Sequence, residues 1–279
     1  MFAIRTVSYT DPEAPAAFVR SLRETGFAVL TDHPITRKQM VRTYAQWGEF
    51  FGSSAKHDYL VDPARQDGYF PFRSENAKDS AVKDLKEFYH VYPDGRLPDT
   101  LAVDTRALHS DLVAIGATLL QWIQYEAPAE VTGALSEPLP DMLAGSKQNL
   151  LRILHYPAQD EAPEPGATRA AAHGDINLIT VLLAGSEPGL EAKDTSGNWH
   201  AVPCDPGMIV INAGDMLEMA TDGYFPSTIH QVVNPPATRN VARYSMPMFL
   251  HPRPEVVLKR GTTADDFLNE RLREIGLKS

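Results

Sequence analysis

From residue 150 onward the chain is written in short apolar runs, at 150–156, 178–183, 208–211, 228–233 and 243–250, separated by clusters of Gly, Pro, Asn and Asp. That punctuation constrains the fold more than any other feature. Runs this short are poor helices, and turn residues between them demand repeated chain reversals. The second half therefore reads as short antiparallel strands in a sandwich or barrel. The first half is different. Asp11-Pro12 reads as an N-cap and first-turn proline, opening a helix that Gly26 stops. Residues 27–30 read as a short strand, and Thr36 caps a second helix that runs to about Phe51 and ends at Gly52. Residues 62–98 are mixed and polar with interspersed aromatics, whereas Leu108, Leu112, Ile115, Leu119 and Ile123 keep the spacing of a long amphipathic helix. Residues 158–172 read as a Pro/Ala-rich loop, and residues 263–276 return to helix. The fold class is mainly β with flanking α-helices.

Charge and cysteine content remove several function classes. Against 26 Lys and Arg stand 36 Asp and Glu, a formal net charge of −10. Phosphate backbones are bound by clustered Lys and Arg, so no nucleic-acid partner is expected. The single cysteine, Cys204, rules out an internal disulfide and suits a reducing cytoplasm. Residues 1–15 lack a basic segment followed by an apolar run, and no apolar stretch approaches the roughly 20 residues needed to span a bilayer. A cytoplasmic chain without membrane contact is expected, as a monomer or weak homo-oligomer.

The chemistry sits in the β-rich half. His173-Gly174-Asp175 is followed much later by His230. On an extended segment residues i and i+2 project from the same face, so His173 and Asp175 can address one ion, and a His on another strand can complete the set. Two His and one carboxylate with open positions is the facial triad of non-haem Fe(II) oxygenases, and the open positions suit a bidentate 2-oxo acid plus O2. The chain carries its own control. His109-Ser110-Asp111 has the same spacing but lies in the predicted helix, where i and i+2 are about 200° apart and cannot share a metal. His109 is expected to be solvated or capping.

Arg243-Tyr244-Ser245 forms another i, i+2 pair, on a run that continues through Met246, Met248 and Phe249. An arginine inside an apolar strand is costly to bury without an anion, and a guanidinium fork beside a hydroxyl is a good carboxylate receptor.

Over residues 148–254 the chain resembles the isopenicillin N synthase-like family of Fe(II)/2-oxoglutarate-dependent oxygenases. The stretches that carry the resemblance are Leu151-Arg152-Ile153-Leu154-His155-Tyr156-Pro157, His173-Gly174-Asp175, Leu178-Ile179-Thr180-Val181-Leu182-Leu183, Val210-Ile211-Asn212-Ala213-Gly214-Asp215, His230-Gln231-Val232 and Arg243-Tyr244-Ser245, in that order. Gly26-Phe27-Ala28-Val29-Leu30 and Gly68-Tyr69 extend it more loosely into the first half.

The resemblance implies a double-stranded β-helix, the jelly roll, with iron on His173, Asp175 and His230. The expected organisation is one domain over 1–279: a mixed α/β N-terminal part (1–145), the jelly-roll core (146–254) and a C-terminal helix (255–279). It implies that Arg243 and Ser245 bind the distal carboxylate of 2-oxoglutarate, that Tyr156 contributes its hydroxyl, and that Phe249 lies on the substrate side of the iron. Leu154 and Gln231 depart from the family, where Asn and Arg are common.

The implied activity is an oxidoreductase, a dioxygenase that consumes Fe(II)-bound 2-oxoglutarate and O2, releases succinate and CO2, and oxidises an unactivated C–H bond of a small metabolite. Hydroxylation is expected first; desaturation or cyclisation needs only a different fate for the same radical. Arg73 and Lys86, with Lys83 and His90 among aromatics, suggest a carboxylate- or amino-acid-like substrate, against the alternative of a solvated loop in which they pair with Glu75, Asp79, Asp84 and Glu87. Two other readings remain at this point: an oxidase of the isopenicillin N synthase type that uses no 2-oxoglutarate, and a catalytically silent jelly roll that binds a small acid or metal.

Overall fold

The computed structural model describes residues 2–75, 82–159, 166–236 and 240–274. A first strand, β1 (Thr6–Ser8), leads into helix α1 (Ala14–Thr25). Asp11 does not cap this helix. Its carboxylate accepts from the Glu13 amide at 2.9 Å, forming a turn, so the helix begins later than the Asp-Pro pair suggested. Gly26 ends it with φ 70°, a conformation that favours glycine, and a Cβ there would lie 2.3 Å from Thr228 Oγ1. After β2 (Phe27–Thr31), Thr36 caps α2 (Arg37–Gly52) by accepting from the Gln39 amide at 3.2 Å. Trp47 of α2 is fully buried in a cluster with Phe50, Phe51 and Tyr89.

The polar stretch that gave no clear periodicity carries β3 (Gly68–Phe70) and β4 (Glu87–Val91). The long helix α3 (Asp99–Glu126) buries Leu108, Leu112, Ile115, Leu119 and Ile123, as their spacing requires. It lies so close to the sheet that a Cβ on Gly116 would meet Leu250 Cδ1 at 1.9 Å. Two short helices follow, α4 (Ala129–Thr132) and α5 (Leu139–Leu143). Then come β5 (Leu150–Tyr156), β6 (Ala170–His173), β7 (Ile179–Leu183), β8 (Leu190–Lys193), β9 (Trp199–Ala201) and β10 (Ile209–Ala213). Helix α6 (Asp215–Ala220), β11 (His230–Val232), β12 (Arg243–Leu250), a hairpin of β13 (Val257–Lys259) and β14 (Thr262–Thr263), and helix α7 (Ala264–Glu274) complete the described chain. The expected end of α7 at residue 276 lies outside the described residues.

These strands form a jelly roll whose two sheets do not close into a barrel. The larger sheet has the order β1-β2-β10-β7-β12-β5-β4-β3, and the smaller β6-β11-β8-β9. Helices first and strands second was thus too simple a division, because the N-terminal strands extend both edges of the large sheet. One face of that sheet packs on α1, α2 and α3; the other meets the small sheet through Val29, Phe88, Leu154, Leu182, Val210 and Val232. Being covered on both faces explains why β7 and β10 are buried along their whole length and read as unbroken apolar runs. Strands β6, β8 and β9 had no such signature, and β6 emerges from what read as the end of a loop. No helix among the described residues is long and apolar enough to cross a membrane.

Candidate active site

Strand alternation builds the cavity between the sheets. Arg152, Leu154 and Tyr156 of β5 point into it, as do Arg243, Ser245, Pro247 and Phe249 of β12. The two strands pair antiparallel with Arg243 opposite Tyr156 and Ser245 opposite Leu154. From the facing small sheet come His173 at the end of β6 and His230 at the start of β11, paired across the ladder.

His173, Asp175 and His230 offer ligand atoms that all lie within 4.8 Å of one another. Asp175 Oδ1 is 3.9 Å from His173 Nε2 and 3.7 Å from His230 Nε2. The remaining valences are spoken for. His173 Nδ1 donates to the Ala171 carbonyl at 2.7 Å and His230 Nδ1 to the Thr228 carbonyl at 3.1 Å, which leaves each Nε2 with a free lone pair. Asp175 Oδ2 accepts from Thr180 Oγ1 at 2.5 Å and from Asn212 Nδ2 at 2.8 Å, which turns Oδ1 toward the imidazoles. Asn177 supports Thr180 in turn, donating to its hydroxyl at 3.0 Å.

The electrostatics agree with that arrangement. His173 keeps 39% of its side chain accessible, yet the atoms packed around its ring, and then the neighbouring His230, push its pKa down to about 4. It is a neutral donor near pH 7. Burial works to raise the Asp175 pKa, but His230 and His173, then the Asn212 and Thr180 hydrogen bonds, outweigh it and hold the carboxyl below its ordinary value. A neutral His173, an ionised Asp175 and the Nε2 of His230 turned to the same point make a donor set that suits a divalent iron.

At the far end of the cavity Arg243 is 1% exposed. Its Nε donates to the Glu187 carbonyl at 2.9 Å, but its Nη1 is buried without a hydrogen-bond partner. Gly185 makes room, since a Cβ there would sit 2.6 Å from the guanidinium. Ser245 is buried beside it, and the Tyr156 ring lies 5.3 Å from the guanidinium carbon. A buried arginine with an unspent donor is half of an ion pair whose other half is an anion.

The third wall is polar but internally balanced. Lys86 Nζ pairs with Glu75 at 2.7 Å and Asp84 at 2.8 Å; Arg152 pairs with Glu75 at 3.2 Å and donates from Nε to His90 Nε2 at 2.9 Å. His90 donates from Nδ1 to the Gln66 carbonyl, and burial followed by the Arg152 charge pushes its pKa down to about 3. The Arg152 guanidinium carbon lies 4.7 Å from the Phe88 ring centre and 5.6 Å from that of Phe249. Lys86 and Phe249 therefore reach the cavity, but Arg73 does not line it and sits exposed against Phe72. Lys86 pairs with Glu75 and Asp84 as in the alternative reading, but Lys86 and Asp84 are buried rather than solvated.

His109 is corrected as well. It is buried, its Nε2 meets the Asn149 carbonyl at 3.2 Å, and burial lowers its pKa. His155 faces the helices, held by Glu87 at 2.7 Å and stacked on Tyr244. Thr180, Asn212 and Arg152 escaped sequence reasoning. The first two are polar residues inside otherwise apolar runs, and that interruption is the signal that could have found them.

Two family models match the chain. One, the 2OG-Fe(II) oxygenase superfamily, covers residues 147–252; the other, the N-terminal region of non-haem dioxygenases in morphine synthesis, covers residues 6–109. The chain is 30% identical to the 2-oxoglutarate-Fe(II) type oxidoreductase hxnY of Emericella nidulans over 90% of its own length and 78% of that protein. A crystal structure from Shewanella oneidensis, assigned as an oxygenase without a stated substrate, superposes with a TM-score of 0.89 at 48% identity over 98% of both chains. A full-length Neurospora crassa protein crystallised in complex with alpha-KG shares the fold, with a TM-score of 0.80 at 22% identity over 97% of this chain and 96% of that one.

Proposed function

The chain belongs to the 2OG-Fe(II) oxygenase superfamily, and on that premise we propose that His173, Asp175 and His230 hold its iron while Arg243, Ser245 and Tyr156 receive the distal carboxylate of 2-oxoglutarate. The protein is a 2-oxoglutarate-dependent dioxygenase that uses Fe(II) and O2. One observation carries the residue assignment. In each of the three proposed ligands every polar atom but one is engaged elsewhere, and the three spare atoms converge.

Held by these residues, iron and 2-oxoglutarate would supply the oxidising chemistry, the oxidative decarboxylation of the 2-oxo acid by O2 to succinate and CO2. The chain's own residues fix where this happens. The Nδ1 bonds of His173 and His230 set ring tautomer and tilt, and Thr180 and Asn212 keep Asp175 ionised and oriented. Arg243 and Ser245 hold one end of a five-carbon dicarboxylate, so its other end reaches the metal. Leu154, Leu182, Leu190 and Val232 exclude water between the two.

Relatives of this chain act on small molecules. We infer a small, polar metabolite here, carboxylate- or amino-acid-like, whose apolar body meets Phe249 and whose charged group competes for Lys86 and Arg152 against Glu75 and Asp84. Oxidation of an unactivated C–H bond, hydroxylation in the first instance, is the proposed reaction, and the single cysteine suits a cytoplasmic setting. The test is a metabolite screen scored by succinate release above the uncoupled background. Small acids and amino acids should stimulate release, and stimulation only by neutral hydrophobic compounds would contradict the substrate class.

A further inference from the structure

A second buried guanidinium stands beside the one assigned to the co-substrate. Arg169, immediately before β6, is 3% exposed. Its Nη2 donates to the carbonyl of Val241, two residues ahead of Arg243, and its Nη1 has no hydrogen-bond partner. Arg243 shows the same pattern, with one nitrogen spent on a backbone carbonyl and a buried Nη1 left over. Both guanidiniums lie against one ring. Their central carbons are 6.0 Å (Arg169) and 5.3 Å (Arg243) from the centroid of Tyr156, so they are no further apart than those two distances together. Among the described residues, no carboxylate forms an ion pair with either.

One buried cation without a counter-ion is costly, and two that share a low-dielectric corner also repel each other. Burial, and then the charge on Arg243, both work against the charge on Arg169, with Tyr156 and then Glu187 offsetting them only in part, yet an arginine stays protonated in a protein. A purely structural clamp on Val241 needs only Nη2 and gives no reason to bury a second charge. Two arginines with matching unspent donors, on the tyrosine that faces the cavity, call for one anion.

The structure assigns Arg169 as a second cation of the distal-carboxylate receptor, acting with Arg243 to select 2-oxo dicarboxylic acids over 2-oxo monocarboxylic acids. This rests on the role proposed for Arg243 above. One carboxylate offsets one of the two positive charges and attracts both, so the loaded corner is less strained than the apo corner.

The test is anaerobic calorimetry on the Fe(II)-loaded protein with 2-oxoglutarate and with 2-oxopentanoate, which has the same chain length but no distal carboxylate. Arg169→Met should weaken 2-oxoglutarate binding by about 30-fold or more, leave 2-oxopentanoate within about twofold, and be partly rescued in Arg169→Lys. Without ligand, Arg169→Met should melt no lower than the parent. Equal weakening of both acids, or of neither, overturns the role of Arg169. Arg243→Met is the parallel arm. If it abolishes the preference for 2-oxoglutarate while Arg169→Met does not change it, only the present inference fails; if Arg243→Met also retains the preference, the receptor itself is misassigned.

Discussion

His230 stands directly opposite His173 across the β6–β11 ladder, with ring centroids 4.5 Å apart. That pairing joins two residues distant in sequence through the hydrogen-bond register of one short sheet. The third member, Asp175, follows the last residue of β6 by two positions and is aimed by Thr180 and Asn212, themselves paired across β7 and β10. The larger sheet therefore orients the carboxylate and the smaller sheet supplies the imidazoles. A shift of either sheet by one residue would turn the set away from the cavity.

Loss of the bonds that aim Asp175 should weaken the metal without removing a ligand. Thr180→Val and Asn212→Leu should each lower Fe(II) affinity by about 10–100-fold in anaerobic titration. Unchanged affinity in both would mean that Asp175 needs no support. His109→Ala should leave iron binding intact yet cost about 1–3 kcal/mol in chemical denaturation, because it strips a buried carbonyl of its partner.

Arg243→Leu should raise the 2-oxoglutarate requirement by two or more orders of magnitude, corresponding to roughly 2–5 kcal/mol for an unpaired buried charge. Iron affinity should change little. A normal 2-oxoglutarate dependence in that variant would dissociate the arginine from the co-substrate.

Phe249→Ala should separate the two small molecules. Phe249 shares the β12 face with Arg243 and Ser245 but lies toward Arg152. Substrate KM should rise and succinate release should uncouple from product formation, while the dissociation constant of 2-oxoglutarate stays at the parent value. Weakened 2-oxoglutarate binding in Phe249→Ala would place the residue on the wrong side of the cavity.

The Glu75, Lys86 and Arg152 cluster predicts an acid limb in stability. Burial would raise the Glu75 pKa, but Arg152 and then Lys86 outweigh it and hold the carboxyl well below its ordinary value of 4.5. A depressed folded-state pKa gives stability that is present above 4.5 and lost as pH falls toward the folded value. Glu75→Gln should destabilise the protein at pH 7, by up to roughly 3–5 kcal/mol for a broken buried pair, and the difference from the parent should shrink below about pH 4. Urea melts at both pH values read this directly; a constant difference would remove Glu75 from the acid limb.

Much of the candidate site was legible in the sequence because its geometry is local. His173 with Asp175, and Arg243 with Ser245, are i, i+2 pairs on extended chain, and period two alone puts each pair on one face. Their supports were hidden because they depend on partners far away. Thr180 and Asn212 look like ordinary strand residues until β7 pairs with β10. Arg152 and Arg169 look like solvated cations until Glu75 and Val241 are seen beside them. Strand β6 was missed because Ala170, Ala171 and Ala172 carry no β-branched signal; only pairing with β11 makes them a strand. His109 read as solvated because its helical face is set by Asn149, which lies beyond the helix.

The most direct measurement of the central claim is anaerobic addition of Fe(II) and then 2-oxoglutarate, watching for the visible charge-transfer band of a chelated 2-oxo acid. The parent should develop the band at one iron per chain, His173→Ala, Asp175→Ala and His230→Ala should lose it together with iron binding, and His109→Ala should keep it. A parent protein that binds both components yet shows no band, or a full band in His230→Ala, would contradict the account.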